Sequence, residues 1–347
     1  MQNDDGRSKP RKSMMFRMSV SGSVFCILLC ALLVAGSGCG TPGPQIHGPS
    51  APAVTRTEPW SYENDPGVVI HTAHYDLYTT IADIDIRRRL ADVMEGALGE
   101  YQRIAPGVPI SSRPMECYIF KNREEWVHYT REHTGIDSYI YLQISRGGYT
   151  VRDWYAGYYL GSVAATMSVA AHEGWHQFAS RNFKGRLPPF LEEGIATMFE
   201  DLTWENDLPR WNLTQNRSRL QSLRGAVEGN YVYSLEDLSQ KHAGNVVAQS
   251  GNRVEAFYGE SWAFATFLWA ADDGKYRPIL RQMISDIADG SVYDPTGVHK
   301  DSHLPWSPAG VKPMLEHYLG MSLDQVNVEY QKYIRKVAFD DYAAQWN

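Results

Sequence analysis

The chain has 347 residues, 43 % of them apolar and 21 % charged, with a formal net charge of −7. That composition belongs to a globular protein with a sizeable core, in one large domain or two modest ones, and excludes a disordered chain or a polytopic membrane protein. The acidic balance supplies no clustered positive surface for phosphates, so no nucleic-acid partner is expected.

Residues 1–18 carry Arg7, Lys9, Arg11, Lys12 and Arg17 against only Asp4 and Asp5. An uncharged apolar run follows from Val24 to Ala35, then Gly36, Ser37, Gly38 and Cys39. A basic start, a short apolar core and a small-residue exit form a secretory signal over 1–38. Cys39 after those small residues resembles the lipobox of bacterial lipoproteins, which implies cleavage before Cys39 and a lipid on its thiol. An uncleaved anchor and ordinary cleaved export are the alternatives. All three put the remainder on the extracytoplasmic side, in the periplasm or cell envelope, because the basic flank stays inside. Removing 1–38 takes away five cationic and two anionic side chains, so the net charge goes from −7 to −10. Three of the four cysteines lie in the first 39 residues, which rules out a disulfide framework. The fourth, Cys117, sits in MECYIF and reads as a core thiol in a buried strand.

Residues 39–66 are rich in Pro, Gly, Ser and Thr up to Pro59 and read as a flexible tether. The folded domain is expected over 67–347. Val68–His71 and Tyr75–Thr80 read as short strands. Ile86, Leu90, Val93, Ala97, Tyr101 and Ile104 recur at helical spacing, which predicts a helix over 84–104. The Met115–Phe120 strand follows, then a helix begun at Asn122, with Glu125 three residues on, and ended at Gly135. Gly147–Arg152 (GGYTVR) lies in a Gly- and Tyr-rich stretch. Ser162 can cap a helix running to about Ser180, and Pro188–Pro189 opens another through Phe199. From there the pattern is mostly helical, with segments at Ser234, 258–271, 278–288 and 322–337. Pro278 suits a first turn and Gly290 a stop. Leu323, Val326, Tyr330 and Ile334 share one face of the last segment, a packing helix. DLTWENDLPRW and VYDPTGVHKD read as solvated loops. Strands early and helices late predict an α+β fold: a sheet-and-helix lobe over 67–180, then a mainly helical lobe over 181–347.

The chemistry concentrates in 172–201. His172-Glu173-Gly174-Trp175-His176 is an H-E-x-x-H pattern. On a helix, positions i and i+4 share a face, so both imidazoles reach one metal ion. Glu173 lies about 100° round the helix, beside the ion, where it serves as general base. A catalytic zinc site needs a third protein ligand and one open position. Glu193 follows His176 by 17 residues, and a returning second helix sets its carboxylate against the two histidines.

H-E-x-x-H followed by this Glu193-Gly194-Ile195-Ala196 segment resembles the gluzincin metallopeptidases of the peptidase MA-like group. It is especially similar to a domain-of-unknown-function family of exported bacterial proteins. The resemblance implies one Zn2+ held by His172, His176 and Glu193, with Glu173 as general base. It also implies that Glu200, two turns after Glu193, orients a ligand histidine; the alternative for Glu200 is a solvated helix end. Glu192 reads as a solvated neighbour of the ligand. Related peptidases carry an edge strand before the metal-binding helix that pairs with an extended substrate, and Gly147–Arg152 stands in that place; an ordinary loop is the alternative. They also use a Tyr or His of the helical half to stabilise the oxyanion. Tyr258 is the candidate, against a role in the core, with His242 and His317 behind it. The Gly-x-Met-x-Asn signature of M1-type aminopeptidases is missing, so that activity is not expected.

The expected function is a zinc-dependent peptide-bond hydrolase of the cell envelope, acting on a peptide or protein and held to the membrane by its N-terminal lipid. Two alternatives stand beside it: a non-catalytic binding lipoprotein on a peptidase-like fold, and a zinc hydrolase of a non-peptide amide or ester. No Gly-x-Ser-x-Gly elbow supports a serine mechanism.

Overall fold

Short apolar strands and one long amphipathic helix build the first half of the molecule around a single sheet. The computed structural model describes residues 48–49, 51–246, 251–299, 304 and 306–341. The signal segment 1–38 and Cys39 lie outside the described residues. Strands β1 (Arg56–Tyr62) and β2 (Asp65–His71) form an antiparallel hairpin, and β3 (Tyr75–Thr79) adds antiparallel to β2. Helix α1 (Ile84–Ile104) crosses over to β4 (Met115–Phe120), which runs parallel to β3. Helix α2 (Arg123–Thr134), a 3-10 turn at Gly135–Asp137 and the one-turn helix α3 (Ser138–Tyr141) lead to β5 (Gly148–Val151) and β6 (Trp154–Tyr158). Strand β6 enters parallel to β4, and β5 pairs only with β6. The order is therefore β1-β2-β3-β4-β6-β5, a mixed sheet with β1 and β5 at its edges.

Then come α4 (Val163–Asn182), α5 (Pro189–Thr197) and a hairpin of β7 (Leu202–Glu205) and β8 (Leu208–Trp211). The remainder is helical: α6 (Arg217–Glu228), α7 (Leu235–Ser239), α8 (Ala243–Val246), α9 (Gly251–Gly274), α10 (Arg277–Asp289), α11 (Pro308–Leu319) and α12 (Leu323–Lys336). The fold is α+β, with a mixed sheet first and a helical half after it. Local signals set these bounds. The side chains of Asn122 and Ser162 accept backbone N–H groups at the starts of α2 and α4, and Gly290 ends α10 in the left-handed conformation. Ser322 and Gln325 close a capping box on α12. Among the described residues no helix is long and apolar enough to cross a membrane.

Alternation along the strands gives the sheet two faces. Tyr75, Leu77, Met115, Cys117, Ile119 and Tyr155 join the main core with α1 and α4. Tyr62, Phe120, Tyr149 and Tyr158 form a second, aromatic core with Trp126 and Tyr129 of α2. Cys117 is fully buried, and its Sγ lies 3.2 Å from Gln177 Oε1, consistent with a core thiol.

Three expectations are corrected. The stretch 39–66 is not tether throughout, because 56–66 builds β1 and the start of β2. Chain before β1 is also held: Ala53 N–H donates to Asp92 of α1, and Arg210 donates to the Pro49 carbonyl. The tether reading failed because β1 is an exposed edge strand, where Pro59 is tolerated and no apolar run is needed. DLTWENDLPRW is a hairpin rather than a loop; Asn206 and Asp207 both adopt positive φ, 51° and 62°, as a two-residue type I′ turn requires. Strand β6 was hidden inside the Gly- and Tyr-rich stretch.

Two glycines let helices close around α4 and α5. A Cβ on Gly174 would lie 2.6 Å from the Tyr101 hydroxyl, which donates to the Ala171 carbonyl at 2.5 Å. A Cβ on Gly194 would lie 2.2 Å from the Ser261 carbonyl oxygen of α9. Backbone cannot yield as a flexible side chain does, so Gly194→Ala should lower stability by about 2 kcal/mol or more. Exposed Gly99 of α1 has open space where a Cβ would go. Gly99→Ala should therefore raise stability by up to about 1 kcal/mol. Denaturant unfolding of the two variants measures both, and equal stabilities would contradict this packing.

Candidate metal centre

Helix α4 presents different faces to different partners. Trp175 and Phe178 are fully buried against Tyr101, and Trp175 also meets Phe199. His172 and His176, one turn apart, face α5. The loop between the helices is pinned where Lys184 and Gly185 N–H donate to the Ala288 and Ile287 carbonyls at the end of α10. Trp306 Nε1 donates to the Arg186 carbonyl. Chain so held returns Glu193 to the two imidazoles.

Three atoms converge there. His172 Nε2 and His176 Nε2 are 3.2 Å apart, and Glu193 Oε2 lies 3.4 and 3.7 Å from them. Ligand atoms on a tetrahedral ion with 2.0–2.1 Å bonds stand about 3.3–3.4 Å from one another, so the spacing suits a single zinc-sized ion. The other ring nitrogens are committed. His172 Nδ1 lies 3.0 Å from Glu200 Oε1, and His176 Nδ1 lies 3.2 Å from Glu192 Oε1. A carboxylate at Nδ1 favours the proton there, so each imidazole, when neutral, turns its Nε2 lone pair inward. Glu193 Oε2 is buried and finds no hydrogen bond. Three potential donor atoms turned on one point form a group that could hold a cation. The three side chains keep 12–16 % exposure.

The supporting carboxylates are themselves held. Arg219 of α6 donates from Nη2 to Glu200 Oε1 and from Nε to Oε2, both at 2.7 Å, and Asn216 Nδ2 donates to Oε2 at 2.9 Å. Burial works against an ionised Glu200, but the Arg219 charge together with the hydrogen bonds from His172 and Arg219 outweighs it and holds the carboxyl down to about 2. Glu192 is buried, not solvated as expected, and its second oxygen stands 3.6 Å from Arg186. That corrects the sequence reading: Glu192 supports His176 as Glu200 supports His172. The sequence carries a signal for it: an imidazole that turns Nε2 to a cation needs an acceptor at Nδ1, and two histidines call for two such carboxylates. Nothing in the sequence points to Arg219, which arrives from a helix that packs on the site only in the folded chain.

Glu173 stands outside the ligand cluster, on the neighbouring stripe of α4. Thr150 Oγ1 of edge strand β5 lies 3.0 Å from both its Oε2 and its backbone carbonyl oxygen. Tyr258 comes to the site's border: the Arg219 guanidinium lies 4.8 Å from its ring centre. Burial and then the Glu193 charge push its hydroxyl well above the usual phenol range, so it stays a donor. His242 and His317 are engaged elsewhere, His242 with Asn245 and His317 stacked on Tyr293. Asp294 is turned inward on Thr296 and the His299 N–H. A second group, Glu63, His128 and Glu132, is exposed, and its members pair with one another and with Tyr62. No protein-family model matches the chain, and no curated protein matches it.

Without an ion, protons answer the same lone pairs. Burial opposes charge on His172, but Glu193 and Glu200 outweigh it and raise the imidazole to about 9; His176 is raised as well. A raised pKa means the proton is held below that value, and a metal must displace it. Zinc affinity should therefore climb at least about tenfold per pH unit between about pH 6 and 8, one proton or more being released per ion. Competition titration with a chromophoric chelator measures the slope; a flat profile contradicts this protonation scheme.

Proposed function

We propose that the protein is a zinc-dependent peptide-bond hydrolase of gluzincin type, exported and held to the cell envelope by a lipid on Cys39. The observation that carries the reading is the convergence of His172, His176 and Glu193 beside a carboxylate, Glu173, that takes no part in the ligand set. A divalent ion bound by those three supplies Lewis acidity, polarising a carbonyl and making water more acidic.

The chain's own groups do the rest. Among the described residues β5 pairs with no strand on its outer side, where an extended chain can add, which favours a peptide over other amides and esters. Glu173 receives the proton of the attacking water on its carboxylate and hands it to the departing amine. Tyr258, kept protonated and beside Arg219 at the border of the cluster, is the proposed donor to the oxygen that gains charge. Glu200 and Glu192 hold the two imidazoles in their working tautomer and orientation. Arg219 keeps Glu200 ionised and ties it to the helical half. No nucleic acid enters this account.

Glu173→Gln keeps the size and loses the basicity of the side chain, and it leaves the three ligands untouched. Its zinc content should equal that of the wild type while cleavage of a mixed peptide library falls by about 100-fold or more. Mass spectrometry of the library with and without a chelator reads the result. Peptide turnover by the Gln variant at the wild-type rate would contradict the assignment.

A further inference from the structure

Helix α4 carries a second stripe beside its histidines. Glu173, Gln177 and Arg181 follow one another at four-residue intervals, so they line one face one turn apart. Each reaches the β5–β6 hairpin. Gln177 Nε2 donates to the Asp153 carbonyl at 2.9 Å and to the Glu116 carbonyl of β4 at 2.8 Å. Arg181 Nη1 meets Asp153 Oδ2 at 2.5 Å. Glu173 meets Thr150. The helix that bears the ligands is therefore buttoned to the sheet edge by three successive side chains, and the proposed base is one of the buttons.

We infer that Thr150 is a positioning residue for Glu173, tying the orientation of the base to the strand on which substrate is laid. This rests on the hydrolase reading above. Alternation in β5 sends Tyr149 to the α2 side, where its hydroxyl donates to Thr130, and turns Thr150 to α4. Among the described residues no other side chain hydrogen-bonds the Glu173 carboxylate. The same hydroxyl lies 3.0 Å from Oε2 and 3.0 Å from the Glu173 carbonyl oxygen. The hydroxyl carries one proton and both neighbours are acceptors, so it donates to one of them at a time; donated to Oε2, it limits the swing of the side chain about its rotatable bonds. The strand cannot drift from the helix, because Gln177 and Arg181 hold the adjoining turn. A base without this bond keeps its chemistry but spends less time aimed at the attacking water, and small misplacements of a catalytic group cost rate steeply.

Thr150→Val removes the hydroxyl and keeps the branched shape, and Thr150→Ser keeps the hydroxyl. The test compares kcat and KM on a peptide cleaved by the wild type, with zinc content and unfolding midpoint measured on the same samples. We expect Thr150→Val to lose about tenfold or more in kcat, with KM and zinc content within about twofold of wild type, and Thr150→Ser to recover most of the loss. Unchanged kcat in Thr150→Val overturns the inference. So does a loss that Ser fails to restore, or one that arrives with lost zinc or a collapsed unfolding midpoint, since either marks a merely structural role. A wild type that binds zinc and cleaves no peptide instead overturns the hydrolase reading, and this inference falls with it.

Discussion

Three lone pairs aimed at one point repel one another unless something positive lies between them. That constraint organises the centre of this molecule. Two imidazoles one helical turn apart and a carboxylate from the next helix stand 3.2–3.7 Å from one another, and each imidazole has its outer nitrogen tied to a second carboxylate. Such an arrangement is costly in a buried setting with neither proton nor cation to fill it. It is kept because packing elsewhere over-determines it: Trp175 and Phe178 behind the helix, the pinned loop before α5, and Arg219 across two oxygens of Glu200.

The same helix divides its labour by stripe. One face is aromatic core, the next holds His172 and His176, and the third, Glu173-Gln177-Arg181, fastens to the β5–β6 hairpin. Edge strand β5, Glu173 and the His172–His176 pair are thereby fixed to a single rigid element, and rigid elements hold the geometry of a site better than loops do. The helical half contributes from the far side. Gly194 lets α9 lie against α5, and that contact brings Tyr258 and its neighbour Arg219 to the border of the cluster.

What the sequence made legible follows the range of the interaction. H-E-x-x-H is a within-helix spacing, and the return of Glu193 needs only one short loop. The amphipathic helix at 84–104, the caps at Asn122, Ser162 and Ser322, and the stop at Gly290 are local signals as well. Glu192 was misjudged because two adjacent glutamates at a helix start look alike until the partner of His176 is located. Arg219 and Asn216 reach Glu200 through tertiary packing, which leaves no spacing to read. Strand β1 was hidden for a different reason. An edge strand with one open side can be written in Pro, Ser, Thr and Glu, the alphabet of a tether.

Metal analysis of the purified intact protein beside its Glu193→Ala variant tests the central claim most directly. The account predicts about one zinc ion per wild-type chain and the loss of most of it when the Glu193 carboxylate is removed, with the fold intact by circular dichroism. A folded wild type that takes up no zinc, or a variant that holds it as tightly as the wild type, would contradict the account.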